Sequence, residues 1–261
     1  MMSLHKQKTI ITILVIALVT SFLYACEQKK AEPKLQEVII PVKVFNGMQL
    51  GLLLKDVVTI NDPAEIESLL TREWYSAVNV KSLKDAQTTY SINNCNDYFK
   101  NSDKNITPVR ESEISAYAEL VLMCQVAKDI IESASSSGSF LDDLELNIAL
   151  PNKLQKQLAM VISTTESERI NSNPEIVTWG DVNKITDIDV KNQYKAIYSH
   201  LGAKQEIELI AQADFDIDGI EDVLISSRDS VENGSYSALR VFCVTKRKQG
   251  GAYEICKEYS Y

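Results

Sequence analysis

The acidic stretch of residues 214–222 has the residue types and spacing of a loop that binds a hard cation. Its sequence, Asp-Phe-Asp-Ile-Asp-Gly-Ile-Glu-Asp, places aspartates at positions 1, 3, 5 and 9 and a glycine at position 6. Calcium takes six to eight oxygen ligands in a flexible geometry, and a curled loop can supply them from alternate residues. The glycine permits a sharp turn because it adopts positive φ without penalty. The predicted ligands are the carboxylates of Asp214, Asp216 and Asp218 and the backbone carbonyl of Ile220.

The residues at the end of the loop indicate which of two known kinds of calcium site it resembles. An EF-hand would need a bidentate glutamate at position 12, but that position holds Ile225. The pattern D-x-D-x-D-G-x-x-D, which leads directly into an apolar strand, resembles instead the calcium loops of FG-GAP repeats in integrin-type propellers. The resemblance implies that Asp222 completes a structural Ca²⁺ site. A propeller needs several blades and the chain has one such loop, so the resemblance is not extended to the fold. The alternative is a hydrated acidic β-turn without an ion.

The sequence does not contain a recognisable catalytic set. Its two histidines are His5 and His200, so a Ser-His-Asp arrangement would depend on His200, and no G-x-S-x-G accompanies it. A histidine-rich zinc site, a phosphate loop and a dinucleotide fingerprint are also missing. We therefore expect a non-enzymatic protein. The alternative is an envelope hydrolase that uses His200 or neighbouring carboxylates, namely Asp142, Asp143 and Glu145.

The N-terminus predicts export and a lipid anchor. Lys6 and Lys8 precede an apolar run over residues 9–23, which is shorter than the roughly 20 residues of a membrane span and fits a signal peptide. The sequence Leu23-Tyr24-Ala25-Cys26 resembles a bacterial lipobox. The resemblance implies a signal peptide of residues 1–25, lipidation of Cys26, and stable anchoring by several acyl chains. The alternatives are an ordinary signal peptide with a chance cysteine, or an uncleaved anchor.

The residues after Cys26 indicate in which membrane the predicted lipoprotein is anchored. Residues 26–36 form a lipidated cysteine and a polar tether. In lipoproteins of Gram-negative bacteria, an aspartate after the cysteine tends to retain the protein at the inner membrane. Glu27 stands there instead. For a Gram-negative cell, the resemblance therefore implies an outer-membrane lipoprotein that faces the periplasm.

Four cysteines remain once Cys26 is lipidated, and an even count in an exported protein favours disulfides. If residues 248–251 form a four-residue hairpin loop, Cys243 and Cys256 lie directly opposite each other and can form a bridge. That leaves Cys95 to pair with Cys124. The alternative is free buried thiols.

The hydrophobic pattern predicts an α+β fold. Residues 37–173 are predicted to be mainly helical after a first strand over residues 37–45, and residues 174–261 to contain an antiparallel four-stranded β-meander. Predicted helices start at an Asp62 cap and run to about Tyr75, and cover Glu111 to Ala134, Asn152 to Ile162 and Asp189 to Leu201. Predicted strands cover residues 205–213, 222–228, 236–247 and 252–259.

The charge balance limits the kinds of partner. The chain has 27 basic and 36 acidic residues, and removal of Lys6 and Lys8 with the signal would leave 25 against 36, a net charge of −11. This argues against binding to nucleic acid, which needs a basic face. It suits solubility, or a basic protein partner met through charge complementarity. We therefore expect a lipid-anchored envelope protein that binds a protein partner, with an inhibitor or immunity protein as one form of that role.

Overall fold

The computed structural model describes residues 39–45, 54–56, 60, 62–85, 87–259 and 261. The predicted signal peptide, Cys26 and the tether lie outside the described residues. Residues 38–261 form one compact unit. None of the described helices is both long enough and apolar enough to cross a membrane.

The regular elements are mostly short. The strands are β1 (Lys43–Val44), β2 (Val78–Ser82), β3 (Thr89–Ile92), β4 (Ile106–Pro108), β5 (Asp187–Asn192), β6 (Lys195–His200), β7 (Ala203–Ala213), β8 (Asp222–Val231), β9 (Ser237–Thr245) and β10 (Glu254–Tyr259). The α-helices are α1 (Cys95–Asn101), α2 (Ile114–Glu132), α3 (Thr164–Ser172) and α4 (Trp179–Val182). The 3₁₀-helices are Pro63–Leu70, Ser102–Lys104, Glu111–Glu113, Leu150–Asn152 and Lys156–Leu158.

A seven-stranded antiparallel sheet dominates the molecule, with the order β10-β9-β8-β7-β6-β5 and with β1 also paired to β7. β7 can take both partners because it is long: β6 pairs with its first half, and β1 pairs with its end. The predicted fold class is therefore wrong. Strands account for 35% of the described residues and helices for 28%, and the C-terminal sheet has six consecutive strands rather than four.

Both faces of this sheet are covered, which explains the unbroken apolar runs in its central strands. Successive residues of a strand point to opposite faces. In β8, Leu224 packs into the cluster around α2, while Val223 and Ile225 pack into a second cluster formed with residues 141–159. In β9, Val241 and Cys243 face the first cluster, and Phe242 and Val244 face the second.

The region before residue 173 is not mainly helical. It contains a second antiparallel sheet with the order β3-β2-β4, which the sequence analysis did not predict. β2 alternates in the way a half-buried strand should, because Val78, Val80 and Ser82 are buried and Asn79 is exposed. Residues 152–162 form irregular chain and a 3₁₀ turn rather than the predicted helix.

The predicted helix from Asp189 to Leu201 is also wrong, since this segment is the β5–β6 hairpin. Buried residues in β6 recur at every second position, at Ala196, Tyr198 and His200. That period of two belongs to a strand with one face in the core. The Asn192 side chain accepts a hydrogen bond from the Tyr194 N–H at 2.8 Å and so stabilises the turn.

The long helix is confirmed as α2, preceded by a 3₁₀ turn at Glu111–Glu113. The first predicted helix begins where expected. The Asp62 side chain accepts a hydrogen bond from the Ala64 N–H at 2.9 Å, and Pro63 occupies the first turn, where its missing N–H costs nothing. This helix is of the 3₁₀ type and ends at Leu70.

Both disulfide predictions are confirmed. Cys95 at the start of α1 bonds Cys124 of α2, and Cys243 of β9 bonds Cys256 of β10. The β9–β10 hairpin begins in the predicted register, with Thr245 opposite Glu254. A bulge then shifts the pairing, so that Lys257 rather than Cys256 lies opposite Cys243.

Removal of either disulfide should destabilise the protein, and the Cys95–Cys124 bond should contribute more. It closes the longer loop, with a sequence separation of 29 against 13, and so restricts the unfolded chain more. The chain-entropy estimate is about 4 kcal/mol for the longer loop and about 3 kcal/mol for the shorter one. Urea unfolding of C95A/C124A and C243A/C256A measures this order. If a reductant left the unfolding midpoint of the unmodified protein unchanged, the assignment of the bonds would be contradicted.

Candidate metal site

The loop of residues 214–221 joins β7 to β8 and is fixed to the chain that follows α2. Asp214 and Ala134 exchange two backbone hydrogen bonds, at 3.0 and 3.1 Å. The Gly219 carbonyl accepts hydrogen bonds from the Ser137 N–H at 2.8 Å and from the Ser137 hydroxyl at 2.9 Å. The serine-rich segment that follows α2 is therefore a partner of the acidic loop.

Asp214 organises the inside of the loop. Its side chain is buried, and its two carboxylate oxygens accept hydrogen bonds from the Asp218 N–H at 3.0 Å and the Gly219 N–H at 2.8 Å. The chain curls tightly around it, with φ of 62° at Ile217 and 87° at Gly219. The left-handed region is unfavourable for a β-branched residue, so Ile217 adds strain, and its side chain is 66% exposed.

The structure brings together three of the four predicted carboxylate ligands. Oxygens of Asp214, Asp216 and Asp218 lie within 4.8 Å of one another. This spacing fits a hard cation that takes one oxygen from each. The N–H of Ile220 donates to Asp218 Oδ1 at 2.8 Å, which fixes the backbone next to the predicted carbonyl ligand.

Asp222 lies apart from the group of three aspartates. It is fully buried, and one oxygen accepts a hydrogen bond from the Phe215 N–H at 3.0 Å. The other oxygen interacts with the Thr245 hydroxyl. A carboxylate oxygen of Asp222 lies within 4.8 Å of the Cys243 and Cys256 sulfurs rather than in the group of three aspartates. Burial raises the pKa of Asp222 to about 6, and the interaction with the Thr245 hydroxyl, which lowers this pKa, opposes the effect of burial only in part.

Arg247, which the sequence analysis missed, is the cation that the structure places against Asp216 and Asp218. Lys43 pairs with Glu221 of the same loop at 3.4 Å. Arg247 lies just after β9, and its Nη2 is 2.9 Å from Asp216 Oδ2, while its Nη1 pairs with Asp218. The guanidinium therefore neutralises part of the charge that a calcium ion would neutralise. An arginine 29 residues downstream of Asp218 gives no local signal, since only the sheet pairing brings the two together.

His200, the candidate base of the alternative hydrolase, is buried at the end of β6, and its Nε2 makes no hydrogen bond with a described residue. Asp143 is engaged by Lys246, Tyr253 and Lys153, and these contacts hold the pKa of its carboxyl well below the usual range. Such a carboxyl is unsuited to donate a proton as a general acid.

The other two candidate carboxylates also have described partners. Asp142 accepts a hydrogen bond from the Gln249 side chain at 3.4 Å, and Glu145 accepts one from the Asn147 side chain at 3.1 Å. These polar contacts fit the ordinary surface role that adjacent acids on a loop most often have.

A buried polar network on β7, β8 and β9 also escaped the sequence analysis. The Gln205 side chain donates to Asp229 Oδ1 at 3.1 Å and accepts from the Trp179 ring N–H at 2.8 Å. Ser227 donates to the same Asp229 oxygen at 2.6 Å, and Arg240 pairs with the other one at 2.8 Å. The available signal was a glutamine in the buried phase of an alternating strand, but its partners lie on separate elements.

Comparison with known proteins gives no relative from which a role could be transferred. No protein-family model matches the sequence, and neither the curated proteins nor the solved structures include a significant match. The functional argument therefore depends on the chemistry of the described residues.

His200 should make stability depend on pH. Burial lowers its pKa, and the nearby Asp229 carboxylate opposes this only in part. The unfolded chain then binds more protons, so the contribution of His200 to the free energy of unfolding is complete above about pH 6.5. It is lost as the pH falls through the lower folded pKa.

Urea unfolding between about pH 7.5 and 5 tests this effect. The difference in stability between the unmodified protein and H200Q should shrink or reverse as the pH falls, because the variant lacks the titrating ring. A difference that stays constant over this range would show that His200 is not held in its neutral form.

Proposed function

We propose that the chain is a non-enzymatic, lipid-anchored protein of the bacterial cell envelope. In this proposal its loop at residues 214–222 holds a structural Ca²⁺ ion, and its acidic surface binds a protein partner. Inhibition of an incoming toxin or hydrolase is one form of that role. The lipid anchor rests on Leu23-Tyr24-Ala25-Cys26. For a Gram-negative cell, the location is the periplasmic face of the outer membrane.

The single observation that carries the calcium proposal is the convergence of three carboxylates. Asp214, Asp216 and Asp218 together bring three negative charges into one group, and Arg247 supplies one positive charge. The remaining two negative charges match one divalent cation, which would lower the repulsion between them. Oxygen-only ligands of this kind suit calcium better than a soft metal.

The position of the loop defines what the ion would do. The loop joins β7 to β8, and its backbone also pairs with residues 134–138 after α2. A cation held by the three aspartates would stabilise the curled loop and, through it, the junction between the helix and the sheet. The proposed role of calcium is therefore structural.

Calcium should raise the thermal midpoint, and EDTA should reverse the effect. At a hundredfold excess over the dissociation constant, the expected gain is about 2.7 kcal/mol. D216N should remove most of this shift, because it deletes a ligand charge without touching the backbone hydrogen bonds. Asp214 is a poor probe, since its loss would break the loop with or without an ion. D187N, at an exposed carboxylate on edge strand β5, is the matched control and should keep the full shift.

R247Q separates calcium from a permanent internal ion pair. If calcium is the physiological counter-charge, R247Q should bind it more tightly than the unmodified protein, because a competing cation is gone. If Arg247 alone neutralises the loop, R247Q should be less stable and calcium should not restore it. A thermal midpoint that calcium leaves unchanged in both proteins would contradict the proposed site.

Lipidation of Cys26 should place the mature protein in the membrane fraction. In bacterial cells fed radiolabelled palmitate, the unmodified chain should take up the label and sediment with membranes. C26S should be unlabelled. An unlabelled chain that is nevertheless processed and released into the soluble fraction would indicate an ordinary signal peptide instead.

A further inference from the structure

A second site candidate lies beside the β9–β10 hairpin. It is a cavity of about 360 Å³, within the range of small-ligand pockets. Leu154, Val177 and Tyr253 supply apolar wall, and the charged residues of its lining are Lys153, Lys246 and Asp143. The lining thus carries two positive charges and one negative charge, in a chain whose net charge is −9.

Lys246 is the unusual member of this group. Its side chain is 3% exposed, and its Nζ donates to Asp143 Oδ1 at 2.6 Å. An ammonium group has three donors, and this is its one described hydrogen bond; its other close contact is with the face of the Tyr253 ring. A buried charge is costly unless its remaining protons are also satisfied. Lys246 therefore presents spare donors at the wall of a cavity.

Asp143 accepts hydrogen bonds from both lysines, but its single negative charge cannot balance their two positive charges. Its Oδ1 already accepts from Lys246 and from the Tyr253 hydroxyl at 2.7 Å. Its Oδ2 accepts from Lys153 Nζ at 3.3 Å, and its backbone carbonyl accepts from the same Nζ at 3.0 Å. The carboxylate holds the two ammonium groups side by side, and the charged residues of the lining carry one more positive charge than negative charge. This is the arrangement of a binding site for an anion, with Asp143 in a positioning role.

We infer that this cavity binds a small organic anion. Its carboxylate or phosphate oxygens would accept from Lys246 and Lys153, and its apolar body would lie against Leu154, Val177 and Tyr253. The inference goes beyond the proposed calcium and anchoring roles, and it requires neither of them.

Titration with simple probes, followed by ¹H–¹⁵N NMR, tests the inference. Benzoate combines a carboxylate with an apolar ring, benzamide is its neutral counterpart, and inorganic phosphate offers the anion alone. Benzoate should shift the amides of Gly250, Gly251 and Tyr253 saturably, and benzamide should bind at least tenfold more weakly. If phosphate binds as well as benzoate, the apolar wall takes no part and the organic-anion inference is wrong.

Variants locate the site. K153Q should weaken benzoate binding about tenfold, because it removes one charge-assisted contact. K246M should weaken it at least as much while keeping the packing of the side-chain stem, and its NMR spectrum shows whether it has folded. K191Q, at an exposed lysine on β5, is the matched control.

Two further results would overturn the inference. One is the absence of saturable shifts in these amides up to tens of millimolar benzoate. The other is an equal loss of binding in K191Q and K153Q, which would indicate general attraction to surface charge. Benzoate binding is measured once with calcium and once with EDTA, so that failure of the proposed calcium site and failure of the anion site can be told apart.

Discussion

The pairing of β7 with β8 is the constraint on which the rest of the structure depends. Both strands are central in the sheet, and one face of each is buried along most of its length, with both faces buried next to the acidic loop. A slip of one residue would transfer every side chain of a strand to the opposite face. The register from Ala203↔Val231 to Ala213↔Asp222 is therefore strongly specified, and it fixes where the connecting loop begins and ends. The acidic residues converge because that loop is short and its two ends are held.

The same constraint places polar groups inside the molecule, where they need partners. Asp229 is buried in β8, and two neutral side chains and Arg240 satisfy its oxygens. Loss of one member would leave the others unpaired, which is more costly than the net value of the interaction. Gln205 links this group to Trp179 on the covering layer. The network thus ties the sheet to α4, and its role is structural because Gln205, Ser227 and Asp229 at its centre are buried.

The sequence allowed prediction of the features that depend on local pattern. The apolar residues of α2 recur with the helical period of 3.6 over many turns. The Asp62 cap directly precedes a proline, which indicates the start of a helix. The short loop of the β9–β10 hairpin predicts how its register begins and which cysteines pair. The sequence did not allow prediction of β2, β3 and β4. In strands of three to five residues, the alternation of buried and exposed positions repeats too few times to be recognised. The β5–β6 hairpin was mistaken for a helix for the same reason. Contacts between distant segments had no local signal at all, as with Arg247 and the acidic loop.

The carboxylates of the acidic loop have two different roles, so the four aspartates of the sequence pattern are not equivalent ligands. Asp214 and Asp222 accept backbone N–H groups and are buried, so they determine the shape of the loop. Asp216 and Asp218 pair with a partly exposed arginine, so they are the ones free to exchange one cation for another. The Arg247 guanidinium belongs to the same chain, whereas calcium must be drawn from solution. At the proposed calcium site, the concentration of the ion around the protein would therefore decide which cation Asp216 and Asp218 hold, while Asp214 and Asp222 keep the loop folded in either case.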